Sequence, residues 1–201
     1  MAKKQNIIEA RQTYKSAIDK ILNNKEEWKK FLAFSSEFYK YEFVENILIY
    51  EQKPEATACA TLEEWNSVGR WVKPKTKGIK MLEDSADETY IKYVFDVKDT
   101  YAINVKNAFT DAVMLVRHWK SNENEVVDIL NKYFNYEYDN LNDLILHYVQ
   151  TQIDEELFGN LTEEEMDIAL KPEFMQNLVE SVTYQVFKRV GVEQKEEKLF
   201  S

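Results

Sequence analysis

The sequence is poor in the residues that cross-link a chain or interrupt its regular elements. Its 201 residues include one cysteine, four glycines and three prolines. The single cysteine, Cys59, excludes an intrachain disulfide and fits a reducing compartment. Few glycines and prolines predict long regular elements with short connections. No apolar run approaches the roughly 20 residues of a membrane span, and the N-terminus lacks the apolar segment of a signal peptide. We therefore expect a cytoplasmic protein with no membrane partner.

Residues that build common catalytic and metal sites are also scarce. The two histidines, His118 and His147, are not spaced as metal ligands, and there is no H-E-x-x-H motif. Glycine is too scarce for a Walker A phosphate loop. Asp96 and Asp99 follow a predicted strand, where a turn cap is more common than a metal site. Cys59 has no histidine nearby in the sequence and is expected to be a small buried residue. The sequence therefore predicts no catalytic activity, no metal and no cofactor.

What the sequence does contain is a basic segment within an acidic chain. The formal net charge is −10, yet residues 65–80, W-N-S-V-G-R-W-V-K-P-K-T-K-G-I-K, hold five cations and no acid. Two of the four tryptophans lie in the same segment. Cations neutralise phosphates and flat rings stack on unpaired bases, so the pattern is typical of single-stranded nucleic acid binding. Two core tryptophans beside a solvated lysine-rich turn give the same pattern, and composition alone favours that second interpretation.

Apolar residues spaced by three and four predict three helices before the basic segment, at about residues 5–23, 25–39 and 42–52. Asn46 lies on the same predicted helix face as Phe43 and Tyr50. A polar side chain there needs a partner, so a structural hydrogen bond to a neighbouring loop and a role in binding both remain open.

A short extended segment at residues 57–60 precedes a short helix. Thr61 and Glu64 form a capping-box pattern at its start, and Gly69 is placed to end it.

After Arg70 the pattern changes to β. Strands are predicted at residues 79–82, 90–97 and 113–116, and a polar turn joins the first two into a hairpin. Helices follow at residues 123–134, 141–158, 161–170 and 172–190. The predicted fold is α+β and mostly helical. Residues 1–118 form N-terminal helices packed on a small antiparallel sheet, and residues 119–201 form an acidic helical part.

Three segments share an order and spacing with one known family. They are F-Y-K-Y-E-F-V-E-N-I-L-I-Y-E-Q-K-P-E-A-T-A-C-A-T-L-E-E-W at residues 38–65, G-R-W-V-K-P-K-T-K-G-I-K at residues 69–80 and Y-V-F-D-V-K-D-T at residues 93–100. Together they resemble the N-terminal domain of ArdC-type antirestriction proteins. The most similar version stands at the front of large conjugative transposon and plasmid proteins with methylase and helicase modules, and residues 174–192 resemble the helix that follows there.

The resemblance implies single-stranded DNA binding in plasmid or transposon transfer, including protection of incoming DNA from restriction. The matched family positions are Asn46, Trp65, Arg70, Lys73, Lys77 and Gly78. The sequence departs where Pro74-Lys75 replaces a glycine of the family's turn, which predicts a stiffer turn. The metalloprotease part of ArdC and the methylase and helicase parts of the large relatives are missing. We therefore expect either an N-terminal piece of such a protein, whose full-length parent could carry enzymatic domains, or a free-standing short version.

The leading hypothesis is a noncatalytic single-stranded DNA-binding module that uses a basic and aromatic hairpin. The predicted DNA-binding residues are Asn46, Tyr50, Trp65, Arg70, Trp71, Lys73, Lys75, Lys77 and Lys80. The cations are expected to point outward and contact phosphates, while Trp71, with Tyr50 or Trp65, stacks on bases. The alternative is an acidic protein-interaction or DNA-mimic module that acts on a restriction or transfer protein. An acidic stripe on one face would favour mimicry, and a basic cleft lined by Trp71 would favour DNA binding.

Overall fold

The computed structural model describes residues 2–84, 88–102, 123–159, 161–162, 165 and 171–192. Within these residues the fold is α+β and mostly helical, as predicted. The chain divides into two units, residues 1–117 and residues 118–201.

The first unit holds four helices and five strands in its described residues. The helices are α1 (Ala2–Leu22), α2 (Lys25–Glu37), α3 (Phe43–Gln52) and α4 (Leu62–Ser67). The strands are β1 (Cys59–Ala60), β2 (Arg70–Val72), β3 (Ile79–Asp84), β4 (Thr89–Asp96) and β5 (Thr100–Ala102). Strands β1, β4 and β3 form an antiparallel sheet in that order, and β2 pairs with β5 in a two-stranded ribbon. The predicted helices and hairpin are confirmed, whereas β5 was not predicted.

Helix starts in the first unit follow the side chains available to cap them. Asn24 Oδ1 accepts from the backbone N–H groups of Glu26 and Glu27 and so begins α2. Thr61 and Glu64 form the predicted capping box at α4, with Thr61 N donating to Glu64 Oε2 at 2.7 Å and Glu64 N to Thr61 Oγ1 at 3.2 Å. The capping residues therefore position α4, which leads directly into β2.

Helix α3 lies at the centre of the first unit. Five consecutive residues, 46–50, are buried, and Ile47, Leu48 and Ile49 are fully so. Ile47 packs with residues of α1 and α2, whereas Leu48 and Ile49 pack with the buried side chains of β3 and β4. The middle of α3 is therefore covered on more than one side, whereas Phe43 and Val44 at its start are exposed. Each of the three fully buried side chains contributes roughly 1.5–3 kcal/mol through burial.

Asp96, at the end of β4, ties the sheet to the segment before β1. Its side chain is fully buried, and Oδ1 accepts from the backbone N–H groups of Thr57 at 2.8 Å and Ala58 at 3.1 Å. Oδ2 accepts from Lys98 N at 3.3 Å and lies 3.9 Å from Lys53 Nζ. The predicted role as a turn cap is confirmed, because Asp96 caps the short 3-10 turn between β4 and β5.

The second unit contains three described helices, α5 (Glu123–Phe134), α6 (Leu141–Gly159) and α7 (Pro172–Val190). Its core is an apolar cluster, and most of the buried residues in it belong to α6. Val127 of α5 and Phe187 of α7 complete the cluster. Gly191, at φ 74°, ends α7 as predicted, because glycine adopts this left-handed conformation freely. None of the described helices is both long and apolar enough to cross a membrane.

Two sequence predictions fall on parts of the chain that the structure leaves undescribed. The strand at 113–116 lies wholly outside the described residues, and the helix at 161–170 does so for most of its length. At its start, Thr162 and Glu165 exchange the predicted capping-box hydrogen bonds, with Thr162 N donating to Glu165 Oε2 at 2.9 Å. The Thr162 hydroxyl also donates to Glu165 Oε2 at 2.6 Å, and this hydrogen bond together with the one from Thr162 N lowers the pKa of the Glu165 carboxyl.

Candidate functional site

The ribbon of β2 and β5 sets the two faces of the basic and aromatic segment. The strands pair antiparallel, with Trp71 opposite Tyr101, Arg70 opposite Ala102 and Val72 opposite Thr100. Residues directly opposite each other share a face, and neighbours along a strand alternate between faces. Trp71 and Tyr101 therefore lie side by side on one face, and Arg70 and Thr100 lie on the other.

Burial separates these two faces sharply. Trp71 is 48% exposed and Tyr101 is 45% exposed, whereas Arg70 and Thr100 are each only 5% exposed. Two exposed aromatic side chains that are direct cross-strand neighbours make a platform, because their Cβ atoms lie about 4.5–5.5 Å apart. We call Trp71 and Tyr101 the aromatic platform.

A tight lysine-rich turn follows the platform on the β2 side. Thr76 N donates to Lys73 O at 3.2 Å, which closes a four-residue turn with Pro74 second and Lys75 third. Lys75 has φ 67°. A proline at the second position and a residue with positive φ at the third position are the pattern of a type II turn. Glycine usually takes the third position of such a turn, and Lys75 in that position places a cation at the tip.

The turn is fastened beside the platform by hydrogen bonds to the segment before β5. Lys73 N donates to Asp99 O at 2.8 Å, and Lys73 Nζ donates to Lys98 O at 2.6 Å. Lys98 is exposed, and its Nζ donates to Glu55 O at 2.8 Å. The nearby Asp99 carboxylate is 2.5 Å from Lys53 Nζ, so its negative charge is matched by a different lysine. Lys73 and Lys98 thus add two cations next to the aromatic platform.

Lys77 and Lys80 face a carboxylate of α1. Lys80 Nζ forms an ion pair with Glu9, and the Lys80 backbone exchanges two hydrogen bonds with the Gln52 side chain, each 2.9 Å long. Lys80, with a smaller contribution from Lys77, lowers the pKa of the Glu9 carboxyl. Lys77 remains exposed. Lys80 is half-buried and already paired, so it is a weaker candidate for phosphate contact than the prediction assumed.

Four of the predicted site residues are buried, and for Arg70 this makes the expectation that the cations point outward wrong. Asn46, Tyr50, Trp65 and Arg70 are 5%, 9%, 1% and 5% exposed. The Trp65 indole N–H donates to Phe95 O at 2.7 Å, which uses its polar group inside the fold. Buried rings cannot stack on a base in this conformation, and a buried guanidinium cannot reach phosphate.

Each of these side chains has a structural role instead. Asn46 Nδ2 donates to Tyr41 O at 2.8 Å and holds the turn before α3, which is the structural interpretation that the sequence left open. Tyr50 packs on two phenylalanine rings of α2, and burial raises the pKa of its hydroxyl. Arg70 Nε donates to Thr100 Oγ1 at 2.7 Å. Arg70 thereby braces the inner face of the ribbon that presents Trp71.

Two residues of this site were not found from the sequence. Tyr101 and Lys98 lie about 30 residues after Trp71, and only the pairing of β5 with β2 brings them beside it. A three-residue strand has too few positions to show a period of two, so no pattern marks β5. The aromatic platform and its cations are therefore Trp71, Tyr101, Lys73, Lys75, Lys77 and Lys98.

Replacing Lys75 with glycine is expected to stabilise the protein by about 1 kcal/mol, because the left-handed conformation costs a non-glycine residue about 1–2 kcal/mol. Lys75→Asn is the matched variant, since asparagine also loses the charge but tolerates this conformation less well than glycine. Urea unfolding of both variants measures the difference. A Lys75→Gly protein that is less stable than wild type would show that the turn does not hold Lys75 at positive φ.

Acidic and basic side chains are distributed unequally between the two units. Residues 118–201 contain 18 acidic and 7 basic side chains, a formal charge of −11, whereas residues 1–117 contain 18 acidic and 19 basic ones, a charge of +1. The acidic balance of the whole chain thus belongs to the second unit. The aromatic platform lies in a unit that is close to neutral.

The second unit offers a cavity of about 640 Å³ beside α6 and α7, lined in part by His147 and Met175. The His147 ring packs against Tyr136 and Tyr138, with centroids 4.7 and 5.4 Å away, so its surroundings are aromatic. In the described ranges, no three His, Cys, Asp or Glu side chains are grouped closely enough to hold a metal ion.

Comparison with known proteins finds no matching family model, no matching curated protein and no matching solved structure. The resemblance to ArdC-type N-terminal domains therefore stays a prediction, and the functional argument rests on the geometry of the first unit.

Proposed function

We propose that the first unit is a noncatalytic single-stranded DNA-binding module, with the aromatic platform and the surrounding lysines as its contact surface. The observation that carries the proposal is the pairing of Trp71 with Tyr101 on the exposed face of the ribbon. Unpaired bases expose flat faces that stack on aromatic side chains, whereas a duplex keeps those faces covered. A platform of two adjacent rings therefore favours single strands.

The lysines around the platform supply the complementary charge. Lys73, Lys75, Lys77 and Lys98 are all exposed, and the Asp99 carboxylate beside them is neutralised by Lys53. Charges act within a Debye length of about 8–10 Å at ordinary salt. The negative net charge of the chain is therefore compatible with local attraction of phosphates. A chain of this kind would act in the cytoplasm on DNA that enters as a single strand, as the resemblance to conjugative proteins implies.

Fluorescence anisotropy of a labelled single-stranded oligonucleotide tests this function directly. Three to four phosphate contacts predict a slope of log Kobs against log salt of about −2 to −3. Changing Lys73, Lys75 and Lys77 together to Glu is expected to weaken binding at least about 100-fold at 0.1 M salt, since three contacts are lost. A duplex of the same sequence is expected to bind more weakly than the single strand.

A matched variant separates the local site from the total charge. Changing Lys15, Lys25 and Lys29 to Glu alters the net charge by the same amount, but on α1 and α2. This control is expected to bind within a few-fold of wild type. Equal losses in both triple variants, or no binding of single strands by wild type at low salt, would refute the proposed site.

The second candidate is a protein-interaction or DNA-mimic role for the second unit. The charge of −11 on residues 118–201 favours it, because a strongly acidic surface can attract the basic DNA-binding face of another protein. It would act on a restriction or transfer protein. Pull-down of such a protein by residues 118–201, lost at high salt, would support this role independently of the first unit.

A further inference from the structure

The sheet of the first unit has an inner face, which packs against α3, and an outer face. Val94 of β4 and Met81 of β3 are 1% and 0% exposed, and both pack with buried side chains of α3. Neighbours along a strand point to opposite faces, so Tyr93 and Phe95 point away from α3. Tyr93 is 40% exposed, whereas Phe95 is half-buried. The outer face therefore presents an accessible aromatic side chain that does not belong to the aromatic platform.

The Tyr93 ring lies against the chain at Gly78, just after the lysine-rich turn. A Cβ atom on Gly78 would lie 3.0 Å from Tyr93 Cδ1 and 3.1 Å from Phe95 Cε1, which is closer than ordinary van der Waals contact. Glycine permits this close approach of the backbone to both rings. The contact places the Tyr93 ring beside Lys77, which is exposed and immediately precedes Gly78.

Two lysines and one glutamate lie around this ring. Lys80 is directly opposite Tyr93 in the register of β3 and β4, so the two side chains share the outer face. Lys80 Nζ pairs with Glu9 of α1. The hydrogen bond and charge of Lys80, and to a smaller extent the charge of Lys77, lower the pKa of the Glu9 carboxyl. Two ammonium groups beside one carboxylate leave a local excess of positive charge.

The path from the aromatic platform to Tyr93 is short and lined by cations. The chain runs from Trp71 through the turn at residues 73–76 to Gly78, so the Cα atoms of Trp71 and Gly78 are at most about 21 Å apart. About six stacked nucleotides at roughly 3.4 Å each cover that distance. The exposed lysines of the turn and Lys77 occupy this stretch. The phosphates of one strand can therefore follow the lysines from Trp71 to Tyr93.

We propose that a bound single strand continues from the aromatic platform past Lys77 and stacks a further base on Tyr93. The inference rests on the proposed function and extends its contact surface to the outer face of the sheet. In this arrangement Glu9 competes with a phosphate for Lys80, because the same ammonium group serves the carboxylate in the free protein. Removing the Glu9 charge therefore adds a phosphate contact at this point of the strand.

Substitutions that keep the bulk of Tyr93 test whether its ring stacks on a base. Tyr93→Phe keeps the ring and is expected to bind like wild type to a labelled single strand of about 15 nucleotides, which covers both rings. Tyr93→Leu keeps an apolar side chain against Gly78 without a ring and is expected to bind at least about fivefold more weakly. Tyr90→Leu is the matched control, because Tyr90 is 43% exposed on the same strand but points to the opposite face. Its affinity is expected to equal that of wild type.

Glu9→Gln provides a second measurement that loss of folding cannot imitate, since an increase in affinity is expected. One added phosphate contact steepens the slope of log Kobs against log salt by about 0.7 and tightens binding about fivefold at 0.1 M salt. Asp19→Asn removes the same charge from an exposed position on α1, about 15 Å further along the helix axis. This control is expected to leave the slope unchanged.

The outcomes separate this inference from the proposed function. Binding that is weakened by changing the turn lysines to Glu but is unchanged in Tyr93→Leu would overturn the Tyr93 contact and leave the single-strand proposal standing. Equal losses in Tyr93→Leu and Tyr90→Leu, or a salt slope of Glu9→Gln equal to that of Asp19→Asn, would also overturn it. No binding of single strands by wild type at low salt would overturn both proposals.

Discussion

Changing both Trp71 and Tyr101 to alanine is expected to weaken binding of a single-stranded oligonucleotide by about 2–6 kcal/mol, because each stacked base contributes about 1–3 kcal/mol. Both rings are about half exposed, so their removal should change the stability of the fold little. The two single variants complete a double-mutant cycle, which measures how far the two rings act as one platform. Anisotropy titrations at one fixed salt concentration give the four affinities.

Tyr90 provides the matched control for this experiment. It is 43% exposed and lies on β4. Asp96, six residues later, ends β4 before the turn to β5, so Tyr90 lies about 20 Å along the strand from that end. Tyr90→Ala is expected to bind like wild type. The stacking role would be refuted if the double variant of Trp71 and Tyr101 bound as tightly as wild type while changing Lys73, Lys75 and Lys77 to Glu still weakened binding. The site would then bind through phosphate contacts without stacking.

The second large effect is expected for Asp96→Ala, which should destabilise the first unit by about 3–5 kcal/mol. Asp96 is fully buried, and its loss leaves the N–H groups of Thr57 and Ala58 without an acceptor and Lys53 with one carboxylate fewer. Breaking a buried charged contact by removing one partner has a cost of this size. Because Asp96 also caps the turn before β5, the ribbon and DNA binding are expected to be lost with it.

Urea unfolding followed by tryptophan fluorescence measures this effect, since Trp28, Trp65 and Trp71 all lie in the first unit. Asp96→Asn keeps one carbonyl oxygen as acceptor and is expected to lose less, about 1–3 kcal/mol. Glu55→Ala, at an exposed position, is expected to stay within about 0.5 kcal/mol of wild type. An Asp96→Ala protein as stable as the Glu55 variant would contradict the structural role of the buried carboxylate.

Side-chain chemistry alone did not separate the buried members of the predicted site from the exposed ones. Trp65 and Trp71 are six residues apart in the same basic segment, yet one is 1% and the other 48% exposed. Trp65 lies on α4, packed inward with its indole N–H on Phe95 O, whereas Trp71 lies on the outer face of β2. Arg70 turned inward for the same reason, since residues next to each other on a strand face opposite sides.

Local signals in the sequence predicted the helices of the first unit and the β3–β4 hairpin, but not β5. Periodic apolar residues, the Thr61 and Glu64 capping pair and Gly191 carry local signals, and local signals act over one or two helical turns. The sequence also determined that cations and tryptophans cluster at residues 65–80. Which of those side chains remain accessible follows from the tertiary packing, because accessibility depends on what packs against each face. The pairing of β5 with β2 brings Tyr101 and Lys98 to Trp71 across about 30 residues, and no local pattern specifies a contact over that distance.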